Sequence, residues 1–418
     1  MTNTRKTICL NMIVKDESHV IEKTLENVCD KINIDYWVIA DTGSKDNTKE
    51  IINDFFTKRS IKGELYCDTW KNFGYNRSLA LEYAYNKSDY VLVFDADDVI
   101  VGDLIIPDNL CMDSYKMQYS NEYGETTYVR RGMLNNRIKW KYEGVLHEYS
   151  YSNEAKTEGL IEGNYYIISG RTGARSKDPD KYKKDAKMLE EGFNEEIKTH
   201  GKVTDLATRY AFYCGQSYKD CNDTENAIKW YKKVATELNN WTQEKYCACY
   251  YLGLLYDSIG DIANTIKYYL MGSEYDPTRI ECAVRLAEIM RAKNFNIFVP
   301  PIYELHKNYG DQTNNSNKLF VQNMLYKNKN LEYECSISGY YVKGKEQMGY
   351  ECCKKIINSV SNDTYIYKQT IANLMTPKYM AMLKNDTKTD QTNIINKMEQ
   401  CEFKYPEAKK LLEIMRSI

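Results

Sequence analysis

Residues 90–98 read Tyr-Val-Leu-Val-Phe-Asp-Ala-Asp-Asp. A short apolar run thus ends in three carboxylates, Asp95, Asp97 and Asp98. Such a run predicts a buried strand of a parallel sheet, and open α/β sheets hold ligands just beyond the carboxyl ends of their strands. Carboxylates this close repel one another unless a cation, a partner or water offsets the charge. Oxygen-only ligands suit hard ions such as Mg²⁺ or Mn²⁺, which also hold a substrate's phosphates. The chemistry on offer is metal-assisted handling of a phosphorylated ligand. Taken alone, the same residues also describe a solvated, acid-capped turn.

The elements before this stretch must position it. Residues 8–14 (ICLNMIV) read as a first buried strand. Ile21, Leu25, Val28, Cys29 and Ile32 follow at helical spacing, with Asp16 or Ser18 as N-cap. A second strand, Tyr36 to Ala40, ends in Asp41-Thr42-Gly43-Ser44. Gly43 supplies a turn, Ser44 or Asp46 a cap, and Ile51, Ile52, Phe55 and Phe56 the buried face of the next helix. A third strand at Glu64 to Cys67 and a helix from Asn76 to Tyr85 lead to the acidic strand. This alternation predicts a parallel, doubly wound sheet with right-handed crossovers. It brings Lys15-Asp16-Glu17, Asp41 and Asp95-Ala96-Asp97 to one edge. Neither GxxxxGK[ST] nor GxGxxG occurs, so neither a P-loop nor a dinucleotide fingerprint is present.

Four segments in this order resemble the N-terminal part of family 2 glycosyltransferases of the GT-A fold. They are MIVKDE at 12–17, DTGSKDNT at 41–48, NFGYNRSLALEYA at 72–84 and FDADD at 94–98. Asp16 stands where the family usually has Asn. The resemblance implies a nucleotide-sugar donor with uracil as its base. It places Asp41 on the base, Asp95 on the ribose or sharing the metal, and Asp97 directly on Mn²⁺ or Mg²⁺. Lys15 and Arg77 join the donor site, and Arg77, at the start of its helix, is a charge-assisted donor to phosphate or base. The ion would bridge the diphosphate and offset charge on the leaving group. Asp98 is either a helix cap or a supporting group.

Two further strands, Ser114 to Ser120 and Thr126 to Met133, read as a hairpin across Asn121-Glu122-Tyr123-Gly124. The segment after them, RIKWKYEGVLHE at 137–148, resembles the Trp-x-Tyr-x-Gly-x-(Leu/Val)-His-Glu run of one branch of these transferases. An inverting transfer needs a base for the acceptor hydroxyl as it attacks the anomeric carbon. Glu148 is the expected base, with Glu143 as the alternative. His147 is expected as a third metal ligand or a phosphate contact, and Trp140 as core.

Near Asp178-Pro179 strand patterns give way to helical ones. Gly173 to Pro179 reads as a linker, with Arg171 and Arg175 either reaching donor phosphates or pairing with carboxylates. An internal repeat follows: Gly215 matches Gly253, Tyr218 matches Tyr256 and Tyr231 matches Tyr269. These offsets fit tetratricopeptide helix pairs. Further degenerate helices are expected at Leu319 to Tyr326, Tyr333 to Tyr341 and Cys352 to Ile357, with polar loops at 310–317 and 385–392 and a closing helix over 394–418.

The totals exclude some classes. A net charge of −2 gives no global bias towards nucleic acid or anionic membrane. The N-terminus lacks the apolar core of a secretory signal, and no run of 18 apolar residues occurs. Thirteen cysteines without a C-x-x-C pair fit reduced thiols and a cytoplasmic location. The expected architecture is an α/β GT-A domain at 1–175, tetratricopeptide-like repeats at 176–310 and a helical region at 311–418. The expected function is metal-dependent, inverting transfer of a sugar from a nucleotide-sugar, a UDP-sugar by resemblance, to a protein, peptide or glycan hydroxyl. The repeats offer a route to self-association. Two other readings stay open: a sugar nucleotidyltransferase, which usually carries a glycine-rich phosphate loop not found here, and an inactive transferase acting as a repeat scaffold.

Overall fold

The computed structural model describes residues 5–122, 126–170, 172–310 and 318–417. The chain divides into two compact units, Met1–Glu244 with Asn315–Val321, and Lys245–Asn314 with Gln322–Ile418.

In the first unit, β1 (Ile8–Val14), α1 (Ile21–Lys31), β2 (Tyr36–Asp41), α2 (Thr48–Lys58), β3 (Gly63–Cys67), α3 (Phe73–Ala84) and β4 (Tyr90–Val93) alternate as expected. There follow β5 (Val99–Asp103), β6 (Ser114–Ser120), β7 (Thr126–Asn135), β8 (Lys141–Glu143), β9 (Tyr149–Tyr151), β10 (Glu158–Leu160) and β11 (Asn164–Ile168). The main sheet runs β3-β2-β1-β4-β7-β6-β11-β5. Side chains alternate across β1, so the two faces bury different helices. Leu10 and Met12 pack with Leu25, Val28, Ile52 and Phe56 on one face. Cys9 packs with Val38, Val91, Leu81 and Ala84 on the other. Asn11, itself buried, donates to the carbonyls of Val38 and Ala80 at 3.1 and 2.9 Å and ties α3 to the sheet.

The doubly wound, parallel expectation holds for β3-β2-β1-β4. Beyond β4 the sheet is mixed: β7 is antiparallel to both β4 and β6, and β5 is antiparallel to β11. The cause is the pairing of β6 directly with β7, which short connections allow only in antiparallel sense. Residues 123–125, within the expected hairpin turn, lie outside the described residues. Two local expectations also change. Helix α1 has Val20 as N-cap and no side-chain cap, because Asp16 instead accepts from the Lys45 amide at 2.7 Å. Helix α3 starts earlier than expected: Asn72 Oδ1 accepts from the Tyr75 amide at 2.8 Å, which moves Arg77 into the second turn.

Helices α4 (Lys181–His200), α5 (Asp205–Asp220) and α6 (Thr224–Lys232) complete the first unit, and α7 (Thr242–Ser258) spans the division. The second unit continues with α8 (Ile262–Tyr275), α9 (Glu281–Ala292), α10 (Val299–His306), α11 (Asn323–Lys327), α12 (Asn330–Tyr341) and α13 (Glu346–Ser359). It closes with α14 (Tyr365–Leu374), α15 (Pro377–Lys384), α16 (Lys388–Glu399) and α17 (Pro406–Arg416). The repeat residues play matching parts within each unit. An added Cβ at Gly215 would meet the Tyr231 ring at 2.9 Å, and one at Gly253 the Tyr269 ring. Asp223 caps α6 through the Asn226 amide just as Asp261 caps α8 through the Asn264 amide, both at 3.1 Å.

Three C-terminal expectations are corrected. Of residues 319–326 only those from Asn323 are helical. Thr387 caps a helix at Lys388 where a polar loop was expected. The single closing helix is two, because Pro406 cannot donate into a preceding turn and starts α17 afresh. Residues 311–317 of the expected loop lie outside the described residues. Among the described residues no helix is long and apolar enough to cross a membrane.

Candidate active site

The acidic end of β4 is held from two sides. Arg77 on α3 gives one terminal nitrogen to Asp95 Oδ1. Arg130 on β7 gives both terminal nitrogens to Asp95 Oδ2, each at 3.2 Å. Arg130 also lies over the Tyr119 ring, 4.4 Å from its centroid, and donates to the Tyr119 hydroxyl at 2.9 Å. Burial alone would raise the Asp95 pKa, but Arg77 and Arg130 outweigh it and hold the carboxyl well below the ordinary range. Asp95 was expected to face the ribose or share a metal; here both its oxygens are already taken by arginines.

Its neighbours are engaged by backbone. Asp98 is buried, accepts from the Gly170 amide at 2.9 Å and faces Arg130 at 3.4 Å. Burial and then the Asp95 charge push it up to about 7. Asp97 Oδ2 accepts from the Thr172 and Gly173 amides at 3.2 and 2.7 Å. Its Oδ1 accepts no hydrogen bond from the described residues. Glu17, after β1, accepts from the Ala174 amide at 3.2 Å, and burial raises it to about 7. Gly170 makes this approach possible, since a Cβ there would sit 2.1 Å from the Asp97 carbonyl oxygen.

Asp41 sits at the end of β2, buried. Its Oδ1 accepts from the Gly43 and Ser44 amides at 3.0 and 2.9 Å, a turn that Gly43 permits with φ +104°. Its Oδ2 is also buried and has no hydrogen-bond partner among the described residues. At the carboxyl end of a strand, where such sheets hold ligands, that open acceptor is available to a ligand donor. Lys15 is exposed and forms no ion pair among the described residues.

Glu148 reaches the same guanidinium as Asp95. Arg77 Nε donates to Glu148 Oε1 at 2.6 Å, and Oε2 accepts nothing from the described residues. Glu143, the other expected base, is held elsewhere by Lys141 at 2.8 Å and the Tyr149 hydroxyl at 2.9 Å. The His147 ring makes no hydrogen bond or ion pair with these carboxylates among the described residues. Its ring stacks on Tyr213 at 3.9 Å with φ +53°, and its carbonyl accepts from Arg209 Nε at 2.8 Å. Burial first, then Arg209, Arg175 and Lys181, lower its pKa to about 3. These neighbours are cations, which do not favour a metal there. Trp140 packs with the sheet core and donates to the Asn135 carbonyl at 3.0 Å. Arg175 pairs with Asp185, and Arg171 lies outside the described residues.

Residues 9–107 match the family described as Glycosyl transferase family 2. That stretch is a family 2 glycosyltransferase domain. Among solved structures, the chain is similar to Staphylococcus aureus TarS 1–349 in complex with UDP-GlcNAc, at 12% identity, over 64% of this chain and 91% of that one, TM-score 0.32. The mannosyltransferase PcManGT from Pyrobaculum calidifontis, in complex with GDP-Man and Mn²⁺, shows 12% identity over 68% of this chain and 87% of that one, TM-score 0.35. A tetratricopeptide repeat protein from Parabacteroides merdae ATCC 43184 shows 12% identity over 57% of this chain and 86% of that one, TM-score 0.25.

The family 2 domain therefore holds Asp41, Arg77, Asp95, Asp97 and Asp98, while Arg130 and Glu148 come from beyond residue 107. The protein is a glycosyltransferase. Among the described residues no three His, Cys, Asp or Glu side chains cluster as a metal-ligand set. A hard divalent ion nonetheless fits a single carboxylate, since such ions are commonly completed by substrate phosphates and water. Asp97, through Oδ1, is the residue whose free oxygen fits that role. Sequence reasoning missed Arg130 and the contacts of Glu17, Gly170 and Thr172 to Ala174. Arg130 stands in a strand-like run with no motif around it.

Proposed function

We propose that the protein moves a sugar from a nucleoside-diphosphate sugar to an acceptor hydroxyl with inversion at the anomeric carbon. The observation that carries this reading is the Arg77 guanidinium, which joins Asp95 at the end of β4 to Glu148. It gathers the charged strand end and a carboxylate with a free oxygen around one point. Asp41 Oδ2 accepts an N–H of the base, which uracil supplies at N3. Arg77 and Arg130 set a positive potential beside the diphosphate, with Asp95 holding both in place. Asp97 would hold Mn²⁺ or Mg²⁺, and the ion would supply positive charge against that of the diphosphate. Glu148 Oε2 takes the acceptor's proton. The acceptor oxygen then bonds the anomeric carbon as the carbon–oxygen bond to the diphosphate breaks, and the diphosphate leaves with the electron pair.

The helix pairs support a tetratricopeptide-like region, on the matched packing of Gly215 with Tyr231 and Gly253 with Tyr269. Stacked pairs of this kind suit a protein acceptor or self-association. Thirteen free cysteines favour a reducing, cytoplasmic setting.

The test is a panel of nucleotide-sugars with Mn²⁺ or Mg²⁺, reading released diphosphate with and without lysate as acceptor. Release that is lost in Glu148→Gln and Asp97→Ala is the expected result. No release with any donor would overturn the reading.

A further inference from the structure

Two concavities lie in the first unit, of about 410 and 620 Å³, within the size class of small-ligand sites. The larger, 620 Å³, opens between the first turn of α3, the 142–145 turn, the end of α4 and the start of α5. Gly144 of its lining backs onto Glu148: a Cβ on Gly144 would sit 3.1 Å from the Glu148 Cα. Tyr75, Tyr142, Tyr149 and Tyr210 line it, together with Glu143 and Glu196.

Both glutamates of the lining are engaged, and its other two charged residues, Lys71 and Asp205, are of opposite sign. Glu143 pairs with Lys141, and Glu196 accepts from the Thr204 hydroxyl at 2.7 Å and faces His200 at 3.4 Å. What remains for a ligand is tyrosine faces and hydrogen-bond acceptors. Tyr75 is 47% exposed on the rim, with the Lys71 ammonium 4.6 Å from its centroid. An aromatic ring with a wet edge offers an apolar face and a polar tip to an amphipathic ligand. Sugar rings have that character: C–H faces for the rings and hydroxyls for the carboxylates. A strongly anionic ligand would meet Glu143, Glu196 and Asp205, and a polycation would find both glutamates engaged and the Lys71 ammonium beside Tyr75.

We propose that this cleft binds the neutral oligosaccharide end of a glycan acceptor, with Tyr75 as its stacking platform. The proposal rests on the transferase reading above, because the cleft is placed by the turn that bears Glu148. Binding can be measured without turnover. The full chain is applied to a broad array of neutral glycans, and the strongest ligand is titrated by calorimetry into wild type, Tyr75→Ala, Tyr75→Trp and Asp41→Asn. The expected result is a loss of at least tenfold in affinity for Tyr75→Ala, retention in Tyr75→Trp and unchanged glycan binding in Asp41→Asn. Donor hydrolysis without acceptor should persist in Tyr75→Ala. Array binding by no neutral glycan, or equal affinity in wild type and Tyr75→Ala, overturns the proposal. So does binding of pentalysine at this cleft, read as loss on Tyr75→Ala, in place of any glycan. Failure of donor hydrolysis in wild type instead overturns the transferase reading and is separately visible.

Discussion

Arg77 Nε donates to Glu148 Oε1 at 2.6 Å while another nitrogen of the same guanidinium holds Asp95. The three side chains are only 10 to 23% exposed, so little solvent screens them. Removing the cation leaves Asp95 with Arg130 alone and Glu148 with no hydrogen-bond partner among the described residues. Arg77→Ala is expected to cost about 3–5 kcal/mol of stability, the range for breaking a buried pair from one side. Arg77→Lys keeps the charge but cannot reach both carboxylates in a fixed fork, so it should recover only part of the loss. Urea unfolding of the three proteins checks this; equal midpoints would show that the bridge is not stabilising.

Glu148 and Glu143 are five positions apart yet differently held. Glu148→Gln keeps an oxygen for Arg77 and removes the proton acceptor. Transfer to acceptor should fall about 10²–10⁴-fold, the usual contribution of a general base, with nucleotide binding retained. Glu143→Gln loses its pairing with Lys141 and should leave transfer within about twofold of wild type, far from the loss of a base. Parallel rates for the two variants would remove Glu148 from the role.

Asp41 Oδ2 is buried without a partner among the described residues, while Oδ1 is satisfied by the Gly43 and Ser44 amides. Asp41→Asn can keep the turn through its remaining oxygen but turns a donor group towards the ligand. Affinity for UDP is expected to fall at least tenfold, which is about 1.4 kcal/mol. Calorimetry with UDP measures it, and unfolding of the free protein should change much less than binding does.

His147 has its pKa lowered to about 3 by burial and by Arg209, Arg175 and Lys181. The unfolded chain takes up a proton near pH 6.5, while the folded chain stays neutral. The contribution to stability is therefore whole above pH 6.5 and is lost as pH falls from 6.5 towards 3. The ring's carbon-bound proton signal should not titrate between pH 5 and 8. His147→Asn, which tolerates the positive φ, should show a smaller drop in urea midpoint between pH 7.5 and pH 5. A ring that titrates near 6.5 would contradict the packing against Tyr213.

How much of this was legible in the sequence depended on range. The β4 strand and its acid end were legible because apolar burial and the strand-end position are local properties of residues 90–98. Asp41 was legible for the same reason, and the repeat of Gly215 at Gly253 and Tyr231 at Tyr269 through its fixed spacing. Arg130 was not, because nothing near it in sequence marks its side chain as the partner of Asp95, 35 residues away. The backbone amides at Thr172 and Gly173 were hidden more deeply still, since an amide leaves no residue-type signal. Helix starts failed where a polar side chain had a better partner than its own helix: Asp16 accepts from Lys45 and leaves α1 uncapped.

Gly170 tests whether the backbone over the acidic strand end is positioned by the absence of a side chain. A Cβ there would lie 2.1 Å from the Asp97 carbonyl oxygen and 2.3 Å from Asp97 Cγ, both too close to relieve by a rotamer change. Gly170→Ala must therefore move backbone and lose the amide that Asp98 accepts at 2.9 Å. Asp98 is 1% exposed, so the lost bond leaves a buried carboxyl short of a partner, at about 1–3 kcal/mol. Gly201→Ala is the control: φ is +64° but nothing lies within 4 Å of the new Cβ. It should cost about 1 kcal/mol of backbone strain and leave donor hydrolysis unchanged. Thermal unfolding and diphosphate release from both variants separate the two effects, because only Gly170→Ala disturbs the groups around Asp97. If Gly170→Ala matches Gly201→Ala in both measurements, the close approach to Asp97 does not position that strand end.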